Sequence, residues 1–288
     1  MLPLLLLALA VPLAGDAPAA WASGPVLDRE FVTSDGVRLH YLEAGPSRGH
    51  TIVFIPGWTM PAWIWAAQIK AFSQSYHVIA FDPRGQGDSE APARGYDPAR
   101  RAQDIAELIA NLTPVPVVVV AWSLGVLDTL AYVHANGDSL LAGLVLVDNS
   151  VGEEPPPAPL PPPRHPAPRL SYPEAMRRFV QGLFVRSPGE AYVERLTQAS
   201  LRTPQAAARL LRSYPLPRSY WREAVYATDR PVLYVVRPRW AAQAANLARN
   251  RPGTESAIFT SAGHALFVDE PARFNALLAS FLRRRVWP

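Results

Sequence analysis

The sequence predicts an α/β protein: a mostly parallel, eight-stranded sheet flanked by helices, with a helical insertion near the carboxyl edge of the strands. Three observations carry this. Short β-branched runs alternate with helical patterns from Thr51 to Val147 and again from Asp229 onward. A proline-rich and then helical stretch interrupts that alternation between the two halves. At the centre lies Pro116 to Gly125, P-V-V-V-V-A-W-S-L-G, a valine run that turns into an apolar helical pattern.

The elements follow in order. Glu30–Ser34 and Val37–Glu43 flank Asp35-Gly36 and read as a hairpin. Thr51–Ile55 is a short buried strand ending in Pro56-Gly57-Trp58, and Pro61–Phe72 reads as helix. His77–Phe81 is a strand closed by Asp82-Pro83-Arg84-Gly85-Gln86-Gly87-Asp88-Ser89. Pro98–Leu112 is amphipathic, with Ile105, Leu108, Ile109 and Leu112 on one stripe. Val117–Val120 is a strand buried on both faces, Leu124–Ala135 a helix, and Leu144–Val147 a strand ending at Asp148.

Glu153–Pro168 is dominated by proline and is expected to run as extended chain. Tyr172–Phe184, Pro188–Leu201, Pro204–Ser213 and Ser219–Thr228 read as helices. The α/β rhythm then returns with strand Val232–Val236, helix Trp240–Asn250, strand Ser256–Phe259 and helix Pro271–Arg284. The expected organisation is a leader over 1–22, a core over 23–149 and 229–288, and a lid over 150–228.

The 288 residues contain no cysteine, which excludes disulfides and thiolate chemistry. Lys70 is the only lysine, and the net charge of +4 is spread along the chain. Arg283-Arg284-Arg285 reads as a solvated helix end, so no nucleic-acid partner is expected. Leu2–Leu13 is apolar, and Ala20-Trp21-Ala22 offers small residues where a signal peptidase reads. The run is short and broken by Pro3 and Pro12, so export to the periplasm or medium is expected, an uncleaved anchor being the alternative.

A tight turn after Val117–Val120 leaves the Ser123 hydroxyl exposed at the strand's carboxyl end, at a helix N-terminus. Small residues are needed two before and two after it, met by Ala121 and Gly125. Together with Pro56-Gly57-Trp58, Asp82-x-Arg84-Gly85-x-Gly87-x-Ser89 and Gly263-His264, this resembles the α/β-hydrolase superfamily. More narrowly, it is similar to the small lidded hydrolases that include esterases and cofactor-free haloperoxidases. Ala121 stands where glycine is usual, and Pro56 where histidine is frequent.

The resemblance implies a serine nucleophile, Ser123, and a base, His264, carried on the loop after the last strand. It also implies a carboxylate to fix the imidazole. In most relatives that acid follows the strand corresponding to Val232–Val236, where this chain reads Arg237-Pro238-Arg239-Trp240. Asp148 is the substitute, its alternative being a cap at the start of the insertion, with Asp229 in reserve. Asp128 is expected to face away, and Asp269 and Glu270 to begin the last helix. Backbone N–H groups of Trp58 and Leu124 would hold an oxyanion. Gly57 would let the chain approach closely and line the substrate pocket, and Trp58 and Trp122 would wall that pocket or pack in the core.

His40, His77 and His134 read as structural or surface residues, His50 as a turn residue, and His165 as a weak candidate for substrate contact. Asp82 to Ser89 reads as a tight structural loop pinned by Asp82 and Arg84. No His/Asp/Glu grouping has metal-ligand spacing, and no G-x-G-x-x-G follows the first strand, so no metal and no cofactor are expected. The expected partner is a small acyl substrate. The functional expectation is a serine hydrolase cleaving an ester or related acyl bond. Carbon–carbon bond cleavage at the same site, or a binding protein on a hydrolase scaffold, are the alternatives.

Overall fold

The structure, a computed structural model, describes residues 24–112, 115–157, 159 and 170–288. The expected leader and His165 lie outside them. β1 (Leu27–Val32) and β2 (Arg38–Ala44) form the hairpin, with Val32 opposite Arg38. β3 (Thr51–Ile55) leads to a 3-10 turn, Ala62–Trp65, before α1 (Ala66–Phe72). The single helix expected over 61–72 is therefore split. Its first amide, Ala62 N, donates to the Asp82 carboxylate at 2.5 Å, and a tight turn presents it there.

β4 (His77–Phe81), α2 (Pro98–Leu112), β5 (Val117–Trp122) and α3 (Leu124–Asn136) follow as read from the sequence, within two residues. β6 (Leu141–Val147) begins three residues earlier than expected. Between it and the next strand come α4 (Tyr172–Gln181), α5 (Glu190–Leu201), α6 (Gln205–Leu211) and α7 (Arg218–Ala227). β7 (Val232–Val236), α8 (Ala241–Asn250) and β8 (Thr254–Ile258) complete the sheet. The last expected helix is shorter, α10 (Pro271–Phe281), and is preceded by a single turn, α9 (Leu266–Asp269).

The sheet order is β1-β2-β4-β3-β5-β6-β7-β8, and only the pairings made by β2 are antiparallel. Every residue of β3, β4, β5 and β7 is buried, as continuous apolar strands covered on both faces must be. One apolar layer joins the sheet to α2, α3, α7 and α8 through Ile105, Leu108, Leu130, Trp221 and Leu247. The other packs Trp65, Phe72, Phe267, Phe274 and Phe281 of α1, α9, α10 and the 3-10 turn on the opposite face. No helix among the described residues is long and apolar enough to cross a membrane.

Candidate active site

Register brings the site together. Trp122 pairs with Val147 and Val147 with Val235, so Ser123 and Asp148 emerge side by side where β5 and β6 end, one strand from Arg237. Ser123 adopts φ 55° and ψ −117°, a conformation costing an L-residue about 1–3 kcal/mol. Its neighbours hold it there. Ser123 N donates to Val147 O at 2.9 Å, and Asn149 Nδ2 donates to Ser123 O at 2.7 Å.

The need for small residues is visible atom by atom. A Cβ on Gly125 would stand 2.7 Å from Pro56 O, and one on Gly57 would stand 3.0 Å from Ser123 Cβ. Ala121 is fully buried in register with Ile55 and Leu146.

His264 arrives on the loop after β8. Gly263 is pressed against the end of α4, where a Cβ would meet Leu183 O at 2.4 Å. Ala265 N donates to Leu183 O, and Gly263 N to Asp269 Oδ2 at 2.6 Å. Asp269 also accepts from Val185 N, so this carboxylate clamps the loop rather than capping the last helix. Trp122 Nε1 donates to His264 O at 2.8 Å, with the two rings 5.1 Å apart. Held this way, His264 Nε2 lies 2.8 Å from Ser123 Oγ and Nδ1 lies 2.6 Å from Asp148 Oδ2.

Asp148 has φ 49° and is 1% exposed. Its carboxylate receives three groups: Arg237 N at 2.9 Å on Oδ1, Arg237 Nε at 2.5 Å and His264 Nδ1 at 2.6 Å, both on Oδ2. An acceptor at Nδ1 places the imidazole proton there and leaves the Nε2 lone pair facing the Ser123 hydroxyl. Arg237, in the loop where the resemblance implied an acid, thus reaches back to Asp148. Sequence reasoning left Arg237 without a role, because only the β6–β7 register shows that it faces Asp148.

The loop read as structural also serves the site. Asp82 accepts from Ala62 N, and Gln86 Oε1 accepts from Thr59 N at 2.5 Å, fixing the turn that carries Gly57 and Trp58. Arg84 is wholly buried between Asp104 and Asp35. Among the described residues, neither the Trp58 nor the Leu124 backbone N–H is used in a hydrogen bond.

A cavity of about 310 Å³ opens at Ser123, walled by Trp58, Leu127, Phe179, Tyr214 and His264 among others. Burial, and then the Asp128 charge, push the Tyr214 phenol well above its ordinary value, so this wall stays neutral. Trp122 and Gly57 do not line the cavity, which corrects the pocket reading of both; the core reading of Trp122 and the close approach at Gly57 hold. Trp122 is 1% exposed beneath the His264 loop, and Gly57 is stacked against the back of the serine turn.

The remaining candidates find other partners. Asp128 pairs with Arg101 on α2, and Asp229 N donates to Asp138. His77 contacts Thr51 and Glu43, His50 stacks on Trp287, and His134 stacks on Tyr220. His40, Asp82 and Asp88 come within 4.8 Å of one another, a gathering that sequence spacing did not foresee. Their atoms are engaged: His40 Nδ1 is 2.7 Å from Asp82 Oδ2, and Arg202 pairs with Asp88.

With this geometry the chain joins the class of α/β folds that carry a serine and a histidine at the carboxyl edge of the sheet. Residues 52–277 match the model of the alpha/beta hydrolase family, and the chain belongs to that family. A non-heme chloroperoxidase of Streptomyces lividans is 37% identical over 116 residues, 40% of this chain and 42% of that protein. A soluble epoxide hydrolase of Corynebacterium sp. (strain C12) is 34% identical over 114 residues, 40% of this chain and 39% of its own length. The chain thus spans about two fifths of each of these relatives. The solved structure of a Burkholderia cenocepacia protein, described provisionally as an aryl esterase, superposes with a TM-score of 0.77. It is 28% identical, and the match covers 89% of this chain and 98% of that one.

Proposed function

We propose that the protein is a serine hydrolase that cleaves an ester or related acyl bond of a small to medium lipophilic substrate. One observation carries the reading: His264 stands 2.8 Å from Ser123 Oγ and 2.6 Å from a buried carboxylate, the geometry a general base needs. In this reading Ser123 Oγ attacks the carbonyl carbon as its proton passes to His264 Nε2. The tetrahedral oxyanion is held by the Trp58 and Leu124 N–H groups. As the carbon–oxygen bond breaks, His264 returns the proton to the departing alcohol, leaving an acyl-serine. Water then repeats the sequence, losing a proton to His264, and the acid leaves with Ser123 restored.

A serine at the turn argues against the carboxylate nucleophile used by epoxide hydrolases of this superfamily. The segment 150–228 acts as a lid: Phe179 and Tyr214 belong to it and stand over Ser123. The N-terminal 22 residues direct export, to be checked by the mass and location of the mature chain. A fluorophosphonate is expected to label Ser123 in folded protein, and 4-nitrophenyl esters to be turned over. Labelling with turnover of diketones but not esters would move the reading to carbon–carbon cleavage. Neither labelling nor turnover would leave a binding protein.

A further inference from the structure

The walls around Ser123 carry positive charge that no acid balances. Arg212 lines both the cavity at Ser123 and a second one beside it, of about 290 Å³. Trp58 and Phe179 are shared by the two; Met176, Ala175 and Tyr172 give the second a largely apolar lining, to which Arg209 adds a cation. No Asp or Glu lines either cavity among the described residues. Elsewhere in the same insertion, Arg177 pairs with Glu190 and Glu194, and Arg202 with Asp88. Arg209 and Arg212 have no carboxylate partner among the described residues.

Arg212 is placed by its backbone rather than by a search for an acid. Trp58 Nε1 donates to Ala208 O at 2.7 Å, and Arg101 Nη1 donates to Leu211 O at 3.2 Å, tying α6 to the core. The next residue, Arg212, then rests its guanidinium 5.1 Å from the Trp58 ring centre. A flat cation whose guanidinium N–H groups meet no acceptor among the described residues, held on an aromatic face beside the proposed nucleophile, is suited to a planar anion.

We propose that the preferred substrates are esters whose otherwise apolar body carries a carboxylate, received by Arg212 with Arg209 beyond it. This rests on the reading of Ser123 as nucleophile and names the substrate class for that site. Arg212 is exposed, so the preference is moderate and sensitive to salt.

The test uses two matched pairs on the full chain: mono-4-nitrophenyl adipate against 4-nitrophenyl hexanoate, and 4-acetoxybenzoate against phenyl acetate. Rates are normalised to hydroxide hydrolysis. In at least one pair the acidic ester is expected to lead in kcat/KM by about tenfold. That lead should shrink by about fivefold in Arg212→Gln, be largely kept in Arg212→Lys, and fall as salt rises from about 0.05 to about 0.5 M. Equal or inverted ratios in both pairs, or a ratio that Arg212→Gln does not move, overturn the proposal while the hydrolase stands. Absence of all turnover together with an unlabelled Ser123 overturns the underlying reading and this proposal with it.

Discussion

Arg237 Nε and His264 Nδ1 converge on one oxygen, Asp148 Oδ2, at 2.5 and 2.6 Å. The second oxygen takes the Arg237 backbone N–H at 2.9 Å. A carboxylate with a side chain 0% exposed is thereby compensated by a guanidinium from the adjacent strand end, which lies beside the imidazole, Arg237 Nη2 being 3.4 Å from His264 Nδ1. Asp148→Asn removes the acceptor that sets the tautomer, and kcat is expected to fall by about three to four orders of magnitude. Because Arg237 stands where the family resemblance implied an acid, the double change Asp148→Asn with Arg237→Asp is expected to recover at least about tenfold over Asp148→Asn alone. Steady-state kinetics on the two variants decides it. No recovery would mean that only the end of β6 presents an acid to His264.

Trp122 acts on the histidine from below. Trp122→Phe keeps the ring packing but deletes the bond from Nε1 to His264 O. A loss of about 1 kcal/mol in stability is expected from the missing hydrogen bond. A larger relative loss, about tenfold in kcat, is expected from a less well placed imidazole. Thermal unfolding and kinetics on the same preparation separate the two effects.

Gly57→Ala adds a methyl 3.0 Å from Ser123 Cβ and 3.1 Å from the Trp122 ring. Overpacking of this kind costs about 1–3 kcal/mol, and here it strikes between Ser123 and the proposed oxyanion donor. kcat is expected to fall while the denaturation slope is unchanged. A variant with wild-type kcat would show that the two turns can separate without loss.

Asp35 gives the acid limb of stability. Hydrogen bonding to Arg84, working against partial burial, lowers its pKa from 3.8 to about 2. The folded chain therefore binds this proton less readily than the unfolded one. The stabilisation is complete above about pH 4 and is lost as pH falls toward 2. Asp35→Asn is expected to flatten the stability curve across that window. By contrast, Arg84→Leu leaves Asp104 buried without its main partner and is expected to cost about 3–5 kcal/mol at neutral pH. Denaturant titrations at several pH values test both.

The parts of this molecule that were legible in the sequence are those set by neighbours in the chain. The valine run into Ser123, the hairpin at Asp35-Gly36 and Pro204 at the start of α6 are local signals, whereas α5 begins two residues after Pro188, behind Gly189. Asp148 was legible through topology, since a residue just past a core strand must surface at the carboxyl edge. Arg237, Gln86 and Trp122 were not, because their partners lie 89, 27 and 142 residues away. Likewise, Asp269 sits where a helix cap belongs, yet its carboxylate is claimed by Gly263 and Val185, contacts that appear only once α4 lies against the loop.

Trp58 touches both halves of the molecule: its backbone belongs to the turn beside Ser123, and its indole nitrogen holds the Ala208 carbonyl of α6. Lifting α6 away from the sheet would have to release that tether and free the turn at the same moment. Solvent admission and loosening of the proposed oxyanion donor are thus tied to the same hydrogen bond.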